Sequence, residues 1–160
     1  MNQVNLKHPD FADLAVEVLH RGDMLRFKAH GASMAPFIKD GDILSILPVE
    51  ESELQIGNVV LYQSESGSLL AHRIVKRSRN EGQWILTVQG DARFALVEEV
   101  YPDQVLGRVV CVQRGMNIHH LNRWPWQLVS LLWVEFTLLF NFLRRALGRI
   151  KRAVLQLARM

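Results

Sequence analysis

Hydrophobic positions follow three different rhythms along the chain. Phe11, Leu14, Ala15, Val18 and Leu19 recur at the i, i+3, i+4 spacing of one helix face. Asp10 has the chemistry of an N-cap and Gly22 that of a C-terminal stop. Residues 1–23 are therefore expected to form an amphipathic helix of about three turns. From Met24 to Gly115 the helical period disappears. Short apolar or alternating runs take over at 24–29, 43–47, 58–62, 69–76, 84–88 and 105–113, separated by turn-forming clusters at 39–42, 64–67, 78–82 and 90–93. Region 24–116 reads as a mainly β, antiparallel domain, coiled into a small barrel. A polar hinge is expected at 117–123. Residues 124–143 then run almost continuously apolar, with Glu135 as the single charge. Residues 144–160 place Ala146, Ile150, Val154 and Leu157 along one side of a basic amphipathic helix.

Charge divides the chain at the same point. Residues 1–116 hold 12 basic against 15 acidic side chains, and residues 117–160 hold 7 against 1. A basic patch spread over a fold would suggest nucleic acid. A basic tail beside an apolar run suggests instead a membrane surface or an acidic partner, so no nucleic-acid partner is expected. The length of 160 residues suits one domain with an appendage. The single cysteine, Cys111, excludes an internal disulfide and alternates with apolar residues as a core position does. His30, His119 and His120 have no carboxylate or thiol at ligand spacing, so no metal or other cofactor is expected. No secretory signal is read in the first residues. Trp84 reads as packing.

Three short stretches in the β region carry chemistry. GASMAPFIKDGD at 31–42 sets Ser33 among small residues before a proline turn, AHRIV at 71–75 sets His72 in a strand, and QGDA at 89–92 sets Asp91 at a strand end. Serine, histidine and acid are the groups that activate a hydroxyl: the serine attacks, the histidine takes its proton, and the acid orients the imidazole. Lys76, four residues beyond His72, is expected on the same strand face and is the competing base. Asp42 is expected to cap the turn after Ser33.

Residues 24–112 resemble the type I signal peptidase superfamily, which includes the LexA-like self-cleaving domains. The resemblance rests on four blocks in the family's order: GASMAP with GD at 41–42, IGNVVLY at 56–62 with Asn58 where an aspartate is usual, AHRIV, and QGDA with VLGRVV at 105–110. It implies a signal-peptidase/LexA-like β fold, a Ser33 nucleophile and a base at position 72. Histidine there, where many relatives carry lysine, resembles the histidine-base branch, and its ordinary pKa of about 6.5 suits it to act near neutrality. The same resemblance makes Asp91 the favoured third member, with Glu98 as its rival and a bare Ser33–His72 dyad also open. Gly31 stands where many relatives have an oxyanion-stabilising serine. The Ser33 amide is then the expected donor, and each absent donor costs about 2.7–4 kcal/mol. Gly31 and Met34 are expected to support the site, Met34 as an apolar wall.

The expected activity is a serine endopeptidase that takes an extended peptide, or the leader of a partner protein, as an added strand. The alternative is a non-catalytic peptide-binding or membrane-tethering module on the same fold. A LexA-like regulator is disfavoured because the short N-terminal segment shows no helix-turn-helix. For residues 124–160, association with the inner membrane surface of a cytoplasmic enzyme is preferred. Spanning with the catalytic domain outside, or packing on the β domain, are the alternatives.

Overall fold

The computed structural model describes residues 8–92, 97–121, 126–137 and 139–140. Helix α1 (His8–His20) leads into strands β1 (Leu25–Lys28), β2 (Ile43–Leu47), β3 (Val59–Gln63), β4 (Leu69–Asn80), β5 (Gln83–Gln89), β6 (Val97–Val100), β7 (Val105–Arg114) and β8 (Asn117–His120). A second helix, α2, covers 126–137. The strands form one open antiparallel sheet in the order β1-β2-β7-β3-β4-β5-β6, with β8 also paired to β7. The mainly β class agrees with the sequence pattern. The sheet is open and not a closed barrel.

Each half of the sheet has its own core. One gathers α1, β1, β2 and β7 through Ala15, Leu19, Leu25, Leu44, Ile46, Val109 and Val112, and the other gathers Val60, Tyr62, Ile74, Leu86, Val88 and Val100. Strand β3 joins them. Its alternate residues Val59 and Leu61 enter the first core while Val60 and Tyr62 enter the second. A strand buried on both faces reads as a continuous apolar run, which is how VVLY appears in the sequence. Gly107 on β7 is required by close approach, because a Cβ there would lie 2.6 Å from the Leu47 carbonyl oxygen.

Several boundaries differ from the sequence expectation. Asp10 lies inside α1, not at its cap. Residues 117–120 are strand β8 and not a hinge: Cys111 pairs His120 and Gln113 pairs Ile118. The β domain therefore does not end at residue 116. Strands β6 and β8 carry too few apolar residues to show an alternating pattern. Helix α2 packs on the sheet, burying Ser130 and Val134. Its Trp133 meets Phe37 edge to face at 5.0 Å between ring centroids. Among the described residues no helix is long and apolar enough to cross a membrane. The rest of the 124–143 run and the basic segment 144–160 lie outside the described residues.

Candidate active site

The loop carrying Ser33 is held from both ends and from below. Ala29 N–H donates to the Asp42 carbonyl (2.8 Å) and Gly41 N–H to the Ala29 carbonyl (2.9 Å). Met34 and Ile38 are buried in the first core, and Ile38 N–H closes a turn onto the Met34 carbonyl at 2.9 Å. Met34 thus anchors the loop to the core; it is not an exposed wall for substrate. Asp42 accepts Lys39 N–H at 2.8 Å, the capping role expected of it, and also pairs with Arg114 at 2.7 and 2.9 Å. The Arg114 hydrogen bond holds the Asp42 carboxyl below its ordinary range, outweighing the opposing effect of burial. Arg114 reaches further, to the Phe37 carbonyl at 3.1 Å.

Ser33 sits exposed on this braced loop. Gly31, two residues before it, has φ +95° and gives its N–H to Asp40 Oδ1 at 2.9 Å. Gly31 is therefore a turn residue whose donor is already engaged, and it does not serve as an oxyanion donor. The Ser33 carbonyl accepts Ala92 N–H at 2.8 Å, which ties the loop to the strand end that carries Asp91. Ser33 Oγ makes no hydrogen bond to His72.

Strand parity decides what surrounds His72. In an antiparallel sheet, directly paired residues share a face and successive residues alternate. His72 pairs Val60 across β3–β4, so Tyr62, two residues along β3, lies on its face. Ile74 shares that face two residues along β4, and it pairs Val88, which in turn pairs Glu98 on β6. Tyr62, His72 and Glu98 consequently converge. The Tyr62 hydroxyl lies 2.9 Å from His72 Nδ1 and 3.0 Å from Glu98 Oε2. Burial lowers the His72 pKa below its ordinary value, and the charges of Glu98 and Asp91 oppose that only in part.

Arg73, the next residue, faces the other way. It pairs Gln89, and Asp91 lies two positions beyond Gln89. Asp91 accordingly meets Arg73 and not His72: Arg73 Nε donates to Oδ1 at 2.8 Å and Nη2 to Oδ2 at 2.7 Å, with both side chains almost fully buried. Arg73 Nη1 completes its set on the Gly57 carbonyl and Ser130 Oγ, both at 2.8 Å. The expectation that Asp91 orients the imidazole is corrected on this ground. Both of its oxygens are taken by a guanidinium on the opposite face, whereas the rival Glu98 reaches His72 through Tyr62.

Lys76 is displaced by a bulge. The β4–β5 register steps from Ile74–Val88 to Lys76–Thr87, so Val75 is the extra residue and Lys76 turns away from the His72 face. Lys76 is exposed. Sequence reasoning alone does not point to Tyr62. The available signal was a tyrosine inside a buried run, whose hydroxyl must find a partner. Among the described residues no group of histidine, cysteine and acidic side chains could hold a metal ion.

Comparison with known proteins yields no match: no family model, curated protein or solved structure is matched by this chain.

Proposed function

We propose that the chain is a serine endopeptidase of the signal-peptidase type, with Ser33 as nucleophile and His72 as general base. The observation that carries this reading is the imidazole itself. It is buried and fixed through Nδ1, while Nε2 makes no hydrogen bond among the described residues. The adjoining Arg73–Asp91 pair leads to the strand end that holds the Ser33 loop. Four sequence blocks in the order of the signal peptidase superfamily support the same assignment.

In the proposed reaction Ser33 Oγ bonds to the substrate carbonyl carbon as its proton passes to His72 Nε2. The Ser33 N–H, which donates to no described group, serves the developing oxyanion. His72 then gives the proton to the leaving amine as the C–N bond breaks, and water releases the acyl group by the reverse sequence. A fluorophosphonate should label the wild-type protein at Ser33 and fail to label Ser33→Ala or His72→Ala, both still folded. Labelling that survives in His72→Ala would remove histidine from the mechanism. Absence of labelling in the wild type would favour the binding-module alternative.

The outer face of α2 supports a membrane surface as the place of action. Leu128, Leu132 and Phe136 are exposed along it, Leu132 to 70%, and Leu139 just beyond it is exposed too, while residues 141–160 carry six basic side chains and no acidic one. Apolar burial with electrostatic attraction to anionic lipid fits that combination. Binding of the full chain to anionic vesicles, lost in Leu132→Glu, is the expected result; equal binding by that variant would discard the assignment.

A further inference from the structure

We propose that Tyr62 is a positioning residue: its single proton is committed to Glu98, so the neutral His72 imidazole must carry its hydrogen on Nδ1 and leave Nε2 as the bare, proton-accepting nitrogen. The inference rests on the peptidase reading and deepens it.

Three groups share too few protons for more than one arrangement. The Tyr62 hydroxyl contacts two groups, His72 Nδ1 at 2.9 Å and Glu98 Oε2 at 3.0 Å, and has one hydrogen to give. An ionised carboxylate can only accept. Glu98 borders an open cavity of about 370 Å³ with Gln63, Ser64, Glu65 and Gln104, which leaves its carboxylate access to water. The phenol proton therefore points at Glu98, and a lone pair of the phenol oxygen faces His72. Phenolate is no alternative, because burial and the adjacent Glu98 both raise the Tyr62 pKa. Facing a lone pair, Nδ1 must be the donor. A neutral imidazole has only one N–H, so Nε2 holds the free electron pair that a general base needs.

The same chain serves the charged state. When Nε2 takes the Ser33 proton, Nδ1–H stays in place, and the positive charge faces a carboxylate one hydroxyl away. The groups facing His72 are Tyr62 from β3, Glu98 from β6 and, through space, Asp91 beyond β5, whose oxygens are held by Arg73. Val60 and Ile74, on the same face, are apolar. Tyrosine thus spans the gap that separates this acid from its histidine.

Nitrogen-15 spectra of ring-labelled histidine, assigned by loss of the His72 signal in His72→Ala, read the tautomer directly and without substrate. The wild type at neutral pH should show His72 as the Nδ1–H form. Glu98→Ala frees the phenol proton to turn towards Nδ1, so His72 should invert to the Nε2–H form, and fluorophosphonate labelling should slow on the order of ten- to a hundredfold. Glu98→Gln keeps an acceptor oxygen and should restore the Nδ1–H form. Tyr62→Phe should give a mixture of tautomers; should that variant not fold, the two Glu98 variants carry the test alone. Finding the Nε2–H form in the wild type, or an unchanged tautomer in Glu98→Ala, overturns the proposal. An inversion on Glu98→Ala in a protein that fluorophosphonate never labels would uphold the positioning role and remove the peptidase reading.

Discussion

His72 and Arg73 are adjacent in sequence and lie on opposite faces of β4, in surroundings that differ in kind. Arg73 is saturated. Its guanidinium meets a bidentate carboxylate, a backbone carbonyl and a serine hydroxyl, and its partners come from the β3 turn, the β5 end and α2. His72 is held at one nitrogen only. A group held at all three of its nitrogens positions what surrounds it. A group fixed at one end and free at the other is equipped to exchange a proton. The difference separates a bracing residue from the base of the proposed mechanism, although motif reading alone places both residues in one block.

The largest expected effect comes from breaking the braced face. Asp91→Ala leaves a buried guanidinium without its counter-charge and should cost about 3–5 kcal/mol. Ser130→Ala removes one acceptor from the same guanidinium and should cost about 1.5–3 kcal/mol. Glu98→Ala on the other face, partly exposed, should cost only about 1 kcal/mol. Denaturant midpoints at constant slope measure all three. A loss on Glu98→Ala as large as that on Asp91→Ala would erase the distinction between the faces. Ending the chain near Gly115 would remove both β8 and the Ser130 acceptor of Arg73.

The readable and unreadable parts of the molecule divide along physical lines. Strands β2 and β3 are visible because their apolar content has nowhere to go but inside. Strand β6 (VEEV) and strand β8 (NIHH) are short and half or more polar and lie at the margins of the sheet; β6 buries Val100 alone and β8 buries no residue. Ser33 and His72 stand out as candidates from their flanking residues. The choice between Asp91 and Glu98 is not, because it depends on the register across β4, β5 and β6 and on the Val75 bulge. Once the pairs Arg73–Gln89 and Val88–Glu98 are known, parity alone assigns each acid to its face. The 124–143 run is apolar nearly all round, which conceals that Ser130 and Val134 face the sheet and Leu132 does not.

An intermediate effect should appear on acidification, and it belongs to the His72 face. Burial lowers the folded-state pKa of His72 below the ordinary 6.5. The unfolded chain then takes up this proton first, so stability rises with pH across the interval between the two values. The contribution is complete above about pH 6.5 and fades as pH falls through the folded-state value. Asp42 acts in a separate, lower window, because Arg114 lowers its pKa and its contribution fades only below the usual carboxylate value of 3.8. His72→Gln should flatten the upper slope and leave the lower one. The rate of acylation should likewise rise with pH through a midpoint below 6.5 and then level off. A midpoint well above 7 would mean that His72 is not the titrating base.

The smallest expected effect is at Lys76, and it isolates the bulge. Without the bulge, with Val75 opposite Thr87 in regular alternation, Lys76 would share a face with His72 and compete for the role of base. With it, Lys76 opposes Thr87, is exposed and lies away from the Tyr62–Glu98 pair. Lys76→Ala should therefore change stability by no more than about 0.5 kcal/mol and leave the fluorophosphonate rate and its pH midpoint where they are. Deleting Val75 would leave Lys76 opposite Thr87 and still facing away from His72, so substitution at 76 is the cleaner probe. A loss of labelling in Lys76→Ala comparable to that in His72→Ala would show that the lysine reaches Ser33 and that the division between the two faces of β4 does not govern the chemistry.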